Sequence, residues 1–325
     1  MVKVLMLSKW HVHQEGYAND VNKQPDARVT CVWDTDVQRG QEWADRLGAA
    51  FENDLDKALS RSDVDAVVVG TPTTAHREVI IKAAQHGKHI FTEKALATTM
   101  EDCRAIADAV EKSGVKFVIS YPQLTNPLVQ LCKQAIAENW LGDIHYMRMR
   151  VAHDGASRGW LPAYWYNAED AGGGAMMDLG CHPMYTASYL LGKPRRITSM
   201  FNNTHAPNGV DDNAVSVVEF ENKAIAVLET SFVSPHQANC FELLGTQGAI
   251  VQADGKVRIH AQRFGDGWFT PDKLPASLPM PMRMWLDAIT QDAPIVFDME
   301  RALALTELLE NAYIADREQR IVSIP

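Results

Sequence analysis

The first 120 residues alternate between short apolar runs and segments in which apolar residues recur at helical spacing. The apolar runs have the length of buried strands and lie at residues 2–7, 28–33, 66–69, 89–92 and 116–120. Between them, apolar side chains recur every three or four positions, as at Val79, Ile80 and Ala83. This alternation predicts βαβ units in a parallel sheet, and the doubly wound, dinucleotide-binding Rossmann-type fold is the leading candidate.

From about residue 121 the pattern changes to strand-like alternation with few helices. A helix is predicted over residues 126–139, and residues 144–151 alternate with strand period. Further strands are predicted at residues 197–201, 213–220, 224–232, 239–244, 249–253 and 257–260. Together they predict an α+β domain with a large, mainly antiparallel open sheet.

The change of pattern predicts two domains. The first is a Rossmann-type dinucleotide-binding domain over residues 1–120. The second is an α+β substrate-binding and oligomerisation domain over residues 121–325. A helix at about residues 300–316 is a candidate to pack back toward the first domain. The face of the second sheet that no helix covers needs a partner, which predicts a homodimer or homotetramer built on that sheet.

Composition and charge exclude several classes of partner. The 325 residues carry a net charge of −10 and contain no run rich in lysine or arginine, which argues against nucleic-acid binding. No apolar stretch approaches the length of a membrane span, and the first apolar run is too short for a signal peptide. The five cysteines are scattered, without a Cys-x-x-Cys pair, which suits a reducing compartment. We therefore expect a cytoplasmic protein without a nucleic-acid or membrane partner.

The turn after the first strand departs from the usual cofactor fingerprint. Sheets of this kind bind ligands beyond the C-terminal ends of their strands, and a pyrophosphate normally needs the glycines of Gly-x-Gly-x-x-Gly there. This turn instead holds Ser8, Lys9, Trp10, His11 and His13. The lysine and the histidines can supply phosphate-binding donors, so we favour a modified cofactor turn over a degenerate turn that binds no pyrophosphate. Two histidines without an obvious third and fourth ligand predict no metal site.

The second and third strands end in further candidate cofactor contacts. Asp34 ends the second strand, where a carboxylate can accept hydrogen bonds from an adenosine ribose, although it can equally form a turn or cap a helix. Residues 35–37 offer no cation for a 2′-phosphate, which favours NAD over NADP. Thr71 and Pro72 follow the third strand and can pass beneath a nicotinamide or its ribose. His76 is a candidate substrate-side residue or the start of the next helix.

Glu93 and Lys94 follow the fourth strand directly. A lysine at this point of such a sheet lies near the expected position of a nicotinamide. There its ammonium group stabilises the oxygen of a hydroxyl undergoing oxidation. Glu93 can hold Lys94 in place or pair with ribose hydroxyls. The alternative is a solvent-facing salt bridge at a strand end.

A glycine triplet, Gly172–Gly174, precedes a helical segment that carries an acid and an imidazole. Asp178 and His182 are four residues apart, so on a helix both side chains face the same way. An acid that holds an imidazole is a common proton-transfer pair, and a buried helix start with a satisfied polar pair is the alternative.

Four more residues are candidate substrate contacts. Trp165 and Tyr166 lie just before the glycine triplet, and aromatic rings there suit the C–H faces of a sugar, although such rings are equally ordinary core. Arg158 and His236 lie in predicted loops from which they can reach the site.

These features resemble the Gfo/Idh/MocA family of NAD(P)-dependent oxidoreductases. The resemblance is carried by Thr71-Pro72, by Glu93-Lys94 and by the glycine triplet that leads to Asp178-Leu179-Gly180-Cys181-His182. It implies an NAD cofactor and a catalytic lysine, Lys94, with Asp178 and His182 at the substrate. It also implies hydride transfer at a carbinol carbon of a sugar, a sugar derivative or a cyclitol.

Three departures from the family pattern keep other functions open. The glycine fingerprint is missing, Ala95 stands where the family usually has proline, and Tyr185 stands where an acid often lies. The same residues would serve a sugar lyase or glycoside-cleaving enzyme that oxidises its substrate transiently and releases no NADH. The altered turn also motivates a non-catalytic protein that senses a cofactor or a sugar.

Overall fold

A computed structural model of the protein describes residues 1–206, 209–235 and 239–325. Its helices and strands fall into two compact units, each built around its own sheet. The first unit comprises Met1–Ser120 and Pro279–Leu303, and the second comprises Tyr121–Leu278 and Ala304–Pro325. The two sheets are of the predicted kinds, one parallel and doubly wound, the other mainly antiparallel and open.

The first sheet contains six parallel strands. They are Val2–Leu7 (β1), Ala27–Trp33 (β2), Ala50–Phe51 (β3), Ala66–Val69 (β4), His89–Thr92 (β5) and Phe117–Ile119 (β6). Their order is β3-β2-β1-β4-β5-β6. The direction of winding reverses between β1 and β4, and open α/β sheets bind ligands at this point, beyond the carboxyl ends of the strands.

The second sheet contains eight strands. They are Ile144–Ala152 (β7), Pro194–Asn202 (β8), Asn213–Phe220 (β9), Ile225–Ser231 (β10), Cys240–Gly245 (β11), Gly248–Ala253 (β12), Lys256–Ala261 (β13) and Val322–Ser323 (β14). Their order is β13-β12-β11-β7-β10-β9-β8-β14, and every neighbouring pair is antiparallel except β7 with β10. Alternating burial along β9 and β13 shows one face turned to the core and one turned outward.

The α-helices alternate with the strands of the first sheet and also pack against the second sheet. They are Gln14–Lys23 (α1), Val37–Leu47 (α2), Leu55–Ser60 (α3), His76–Gln85 (α4), Met100–Ser113 (α5), Pro127–Ala137 (α6), Ala168–Ala171 (α7), Cys181–Leu191 (α8), Pro281–Gln291 (α9) and Met299–Glu318 (α10). Capping residues set several of their ends; Thr99, for example, accepts the Asp102 N–H in front of α5. Among the described residues, no helix combines the length and the apolarity that a bilayer crossing requires.

The segment that contains α9 belongs to the first unit, whereas the boundaries predicted from the sequence place it in the second domain. Arg283 on α9 donates hydrogen bonds to both carboxylate oxygens of Asp26 at 2.9 Å, within the first unit. The change of periodicity near residue 121 marks where the chain leaves this unit. The pattern gives no sign that the chain later returns to the first unit. A single domain boundary at residue 121 therefore assigns residues 279–303 to the wrong unit.

Replacing Arg283 by methionine is expected to lower the free energy of unfolding by about 1 kcal/mol, because both partners are partly exposed. The hydrogen bonds from Arg283 hold the pKa of Asp26 below its ordinary value of 3.8. Their contribution is therefore present above about pH 4 and is lost as the pH falls through the lowered pKa. Urea unfolding at pH 7 and pH 3 measures this difference. A gap between wild type and variant that widens at pH 3 would contradict it, and Arg46→Met is the surface control.

Candidate functional site

Backbone amides of the turn after β1 already donate hydrogen bonds within the protein. Ser8 adopts a left-handed conformation with φ of 68°, and its hydroxyl accepts the Trp10 N–H at 3.1 Å. The His11 N–H donates to the Gly70 carbonyl at 3.0 Å, and the His13 N–H donates to Nδ1 of His11 at 3.2 Å. A glycine-rich turn offers such amides to a pyrophosphate. Here side chains must make those contacts instead.

Two buried polar groups beside this turn fit a polar ligand at the switch point. The side-chain amide of Gln14 and Oγ1 of Thr71 have no hydrogen-bond partner within the part of the chain that the structure describes. Gln14 lies against the end of β4, because a Cβ on Gly70 would stand 2.0 Å from its Nε2. Buried polar groups are normally satisfied, so these two positions suit a bound group such as a dinucleotide.

Asp34 at the end of β2 is buried and accepts several hydrogen bonds. Its carboxylate accepts hydrogen bonds from Nε of Arg39 at 3.0 Å and from a second guanidinium nitrogen. It also accepts the backbone N–H groups of Lys9 at 2.8 Å and Asp36 at 3.0 Å. Residues 35–37 carry no cation. The first turn of α2 brings Arg39 back to the strand end, so a cation does lie beside Asp34, the residue predicted to contact the ribose.

Glu93 is the centre of a polar cluster in the first unit. Its Oε1 lies 2.7 Å from Nδ1 of His13 and 3.5 Å from Nδ1 of His11, and it accepts a hydrogen bond from the Tyr17 hydroxyl. Its Oε2 accepts the Lys94 N–H at 3.0 Å. Burial raises the pKa of this carboxyl group, but the two histidines and Lys94 outweigh burial and hold it well below its usual range. The cluster joins the turn after β1 to the end of β5.

Lys94 lies in the loop after β5 and His76 begins α4, both at the carboxyl edge of the same sheet. Lys94 is 5% exposed, and the peptide bond between it and Ala95 is cis. His76 is buried, with Nδ1 3.1 Å from the Leu96 carbonyl and Nε2 3.2 Å from the Thr71 carbonyl. Burial lowers its pKa. His76 therefore ties the loop of Lys94 to the loop after β4, and its role toward a cofactor or substrate stays a prediction.

The glycine triplet of the second unit is explained by two residues that the sequence did not point to. Gly172 ends α7 with φ of 79°, and a Cβ on Gly174 would stand 2.0 Å from the Asp211 carbonyl oxygen. The Asp211 carboxylate accepts the N–H groups of Gly174 at 2.9 Å and Met176 at 2.7 Å, and the Tyr313 hydroxyl donates to it at 2.9 Å. Asp211 and Tyr313 therefore fix the turn that leads to the predicted acid and imidazole.

The segment after the glycines begins as a π-helical turn, Met176–Gly180, and becomes α-helical only at α8. Asp178 lies in the π-helical turn and is half-buried, so the spacing of a regular α-helix does not apply between it and His182. Nδ1 of His182 lies 2.7 Å from the Tyr185 hydroxyl, which also accepts the Gln123 N–H at 3.2 Å. Tyr185 thus holds one nitrogen of the imidazole.

The candidate substrate contacts differ in their exposure. Trp165 and Tyr166 are both 4% exposed, which makes them part of the core of the second unit. Burial also raises the pKa of Tyr166. Arg158 is exposed and pairs with Asp154 at 2.8 Å. His236 lies outside the described residues. The packing of the fold determines which of these side chains are exposed. A cluster of aromatic residues in the sequence does not show which rings are buried.

Family comparisons cover most of both units. Residues 12–121 match the model described as "Oxidoreductase family, NAD-binding Rossmann fold", and residues 129–251 match the "GFO/IDH/MocA C-terminal domain". The first match begins inside the turn after β1, where this chain lacks the glycine fingerprint.

Individual relatives agree with these matches. The chain is 31% identical to scyllo-inositol 2-dehydrogenase (NAD(+)) of Bacillus subtilis over 71% of this chain and 68% of that protein. It is 29% identical to 2,7-anhydro-N-acetylneuraminate hydratase of Mediterraneibacter gnavus over 71% of this chain and 62% of that protein. Among solved structures, GenD2 from gentamicin A biosynthesis, in complex with NAD, superposes with a TM-score of 0.84 at 25% identity, covering 100% and 96% of the two chains. The alignments thus span roughly three fifths to two thirds of the length of the curated relatives.

Proposed function

Because the chain belongs to the Gfo/Idh/MocA family of oxidoreductases, we propose that it transfers a hydride between NAD and a carbinol carbon of a sugar, a sugar derivative or a cyclitol. The observation that carries the proposal is the position of Lys94. It follows β5 directly and is buried at the carboxyl edge of a sheet wound in the dinucleotide-binding order. The dehydrogenase name of the Bacillus subtilis relative supports the reaction and the substrate class.

We assign the cofactor contacts to side chains at the ends of β1, β2 and β4. Asp34 with Arg39 suits the adenosine ribose, and Lys9 with His13 suits the pyrophosphate in place of turn amides. Thr71 offers a buried hydroxyl near the nicotinamide position. When bound, the nicotinamide supplies the acceptor for the hydride. The Arg39 guanidinium group is already paired with the Asp34 carboxylate, and NAD stays the proposed cofactor.

We propose that three residues handle the substrate hydroxyl. The Lys94 ammonium stabilises negative charge on its oxygen as the hydride leaves the carbon. His182 takes the hydroxyl proton, and because Tyr185 engages Nδ1, the proposal assigns this transfer to Nε2. Asp178 supplies the neighbouring negative charge that favours the imidazolium form.

The test is a calorimetric titration of cofactor-stripped protein with NAD, NADH, NADP and NADPH, followed by an NADH-absorbance screen of sugars and cyclitols. We expect binding of NAD(H) and net NADH formation with at least one substrate. Arg39→Ala is expected to weaken NADP(H) more than NAD(H), because only a 2′-phosphate carries the extra charge. A well-folded sample that binds none of the four nucleotides would overturn the proposal in favour of a sensor that responds to another ligand.

A redox-neutral reaction is the second candidate, and the hydratase among the relatives favours it. In that reaction oxidation of one sugar carbon acidifies its neighbour, a group is eliminated or added, and the hydride returns. The same three residues serve both reactions. Formation of product without net NADH, by protein that retains NAD, would support the redox-neutral reaction over net oxidation.

We also propose that the chain forms a homodimer or homotetramer through the outward face of the second sheet. Helix α8 packs on the inner face, against β7 and β10. On the outer face Met200 pairs with Val215 across β8 and β9, and they are 78% and 38% exposed. Ile225 on β10 is 44% exposed on the same face. Exposed apolar side chains on one face of a sheet favour contact with a second copy.

Replacing Met200 and Val215 together by glutamate is expected to dissociate the assembly, because two charges would be buried without partners in the interface. Light scattering after gel filtration measures the mass, which should fall to that of one chain. Val37→Glu changes an exposed valine of the first unit and should leave the mass unchanged. A wild-type protein that is already a single chain at micromolar concentration would rule out the interface.

We propose a reducing, cytoplasmic location. All five cysteines are free thiols, and four of them are buried. Burial raises the pKa of Cys31 to about 11, which keeps the thiol protonated and slow to oxidise. Cell fractionation of the tagged protein should recover it with other cytoplasmic enzymes, and recovery in a secreted fraction would contradict the proposal.

A further inference from the structure

We propose that His11, His13 and Glu93 form a binding site for a divalent transition-metal ion of the Zn²⁺ type. One ring nitrogen of each histidine and one carboxylate oxygen of Glu93 lie within 4.8 Å of one another. The two histidines alone predicted no metal, because a third ligand was missing. Glu93, 80 residues away from His13 in the sequence, supplies it.

The distances suit a small metal ion. Nδ1 of His13 lies 2.7 Å from Oε1 of Glu93, and Nδ1 of His11 lies 3.5 Å from the same oxygen. A tetrahedral ion with ligands at about 2.0–2.2 Å holds them about 3.3–3.6 Å apart. Shifts of less than 1 Å, mostly by the half-exposed His13, would bring the three atoms to that geometry.

The ring nitrogens of both histidines converge on one oxygen of a buried carboxylate. Nδ1 of His11 accepts the His13 N–H at 3.2 Å and lies 3.5 Å from Oε1 of Glu93. The His11 and Glu93 side chains are both at least 95% buried. A buried carboxylate is stabilised by positive charge beside it, and a divalent ion can supply that charge in place of the imidazole protons.

The surroundings match a metal site in two further ways. The Tyr17 hydroxyl and the Lys94 N–H donate hydrogen bonds to the Glu93 carboxylate, and such hydrogen bonds orient a carboxylate that binds a metal. The His13 side chain is 50% exposed, which opens one side of the cluster to an external ligand. Two imidazoles and one carboxylate prefer Zn²⁺, Co²⁺ or Fe²⁺ over Mg²⁺, which binds oxygen ligands.

The test uses the full-length protein after treatment with a chelator and dialysis, without nucleotide or sugar. Zn²⁺ is titrated by calorimetry, and Co²⁺ by its visible absorption. We expect one ion per chain and the intense d–d bands of four- or five-coordinate Co²⁺. Because no cofactor or substrate is present, the result is separate from the proposed oxidoreductase activity.

Variants identify the ligands. His13→Ala removes a half-exposed side chain and should weaken metal binding at least about 10-fold, since loss of a group that only hydrogen-bonds to a ligand costs about 10- to 100-fold. Glu93→Gln should also weaken binding at least about 10-fold. Tyr17→Phe removes a hydrogen bond to the Glu93 carboxylate and should weaken binding by about 10- to 100-fold. His86→Ala, a surface histidine 3.7 Å from Asp56, is the matched control and should bind as wild type does.

Three outcomes would overturn the proposal. They are the absence of Zn²⁺ and Co²⁺ binding, affinities unchanged in both His13→Ala and Glu93→Gln, and loss of the Co²⁺ bands in Cys240→Ser. The last would assign the metal to the one half-buried thiol. Because His13 is half-exposed, His13→Ala keeps the test informative even if Glu93→Gln fails to fold.

Discussion

Replacing Lys94 by methionine is expected to lower turnover by about 100- to 10,000-fold, the range that a positioned acid–base or electrostatic group contributes. Methionine keeps the length and the apolar stem of the side chain and removes only the charge. Lys94 is 5% exposed, so its charge acts in a site of low dielectric constant, where it is worth more than in water. Nucleotide binding should change little, because the proposed contacts of the cofactor lie mainly on other residues.

The measurement is the rate of NADH formation at saturating NAD with the best substrate from the screen. Lys82→Met is the control, because Lys82 lies on the surface beside Asp56 and Glu78 and should not affect turnover. Full activity in Lys94→Met, with an unchanged melting temperature, would show that Lys94 does not act on the substrate.

Replacing Asp211 by alanine is expected to lower the free energy of unfolding by about 3–5 kcal/mol. The change leaves the Met176 N–H and the Tyr313 hydroxyl without their acceptor, and it leaves the Gly174 N–H with only the Tyr313 oxygen at 3.1 Å. Each buried donor left unsatisfied costs about 1–3 kcal/mol. The same change releases the turn that positions Asp178 and His182, so turnover should fall as well.

Graded variants separate these effects. Asp211→Asn keeps the shape and one acceptor oxygen and should lose less stability than Asp211→Ala. Tyr313→Phe removes one hydroxyl and should cost about 1 kcal/mol. Urea unfolding measures all three, with the exposed Asp266→Ala as the control. A loss below about 1 kcal/mol in Asp211→Ala would mean that the turn is held by its glycines and not by the carboxylate.

The architecture of both sheets could be predicted because it depends on local pattern. Strand β4 is buried throughout and is an unbroken apolar run, and Lys3 is the one polar residue in β1. β9 has one buried face and alternates accordingly. The two-residue strand β3 was missed, because a pair of residues carries no periodicity.

The candidate site was only partly predictable because its contacts join distant parts of the chain. Glu93 was identified from its place after a strand, but its pairing with His13 depends on the fold. The contact of Arg39 with Asp34 was not predicted, because the two residues are five apart in the sequence. The first turn of α2 brings Arg39 back to the strand end. Asp211 lies 37 residues from Gly174 in the sequence. The three successive glycines are the one sign in the sequence that another segment packs closely against this turn.

The partners of the glycine turn also bear on the order in which the chain matures during synthesis. Tyr313 leaves the ribosome 139 residues after Gly174, and Arg283 leaves 257 residues after Asp26. Domains commonly fold one after another from the N-terminus as they emerge. Here each unit waits for a late segment to complete its contacts. Nascent chains arrested before residue 279 are therefore expected to expose both incomplete cores to chaperones and proteases.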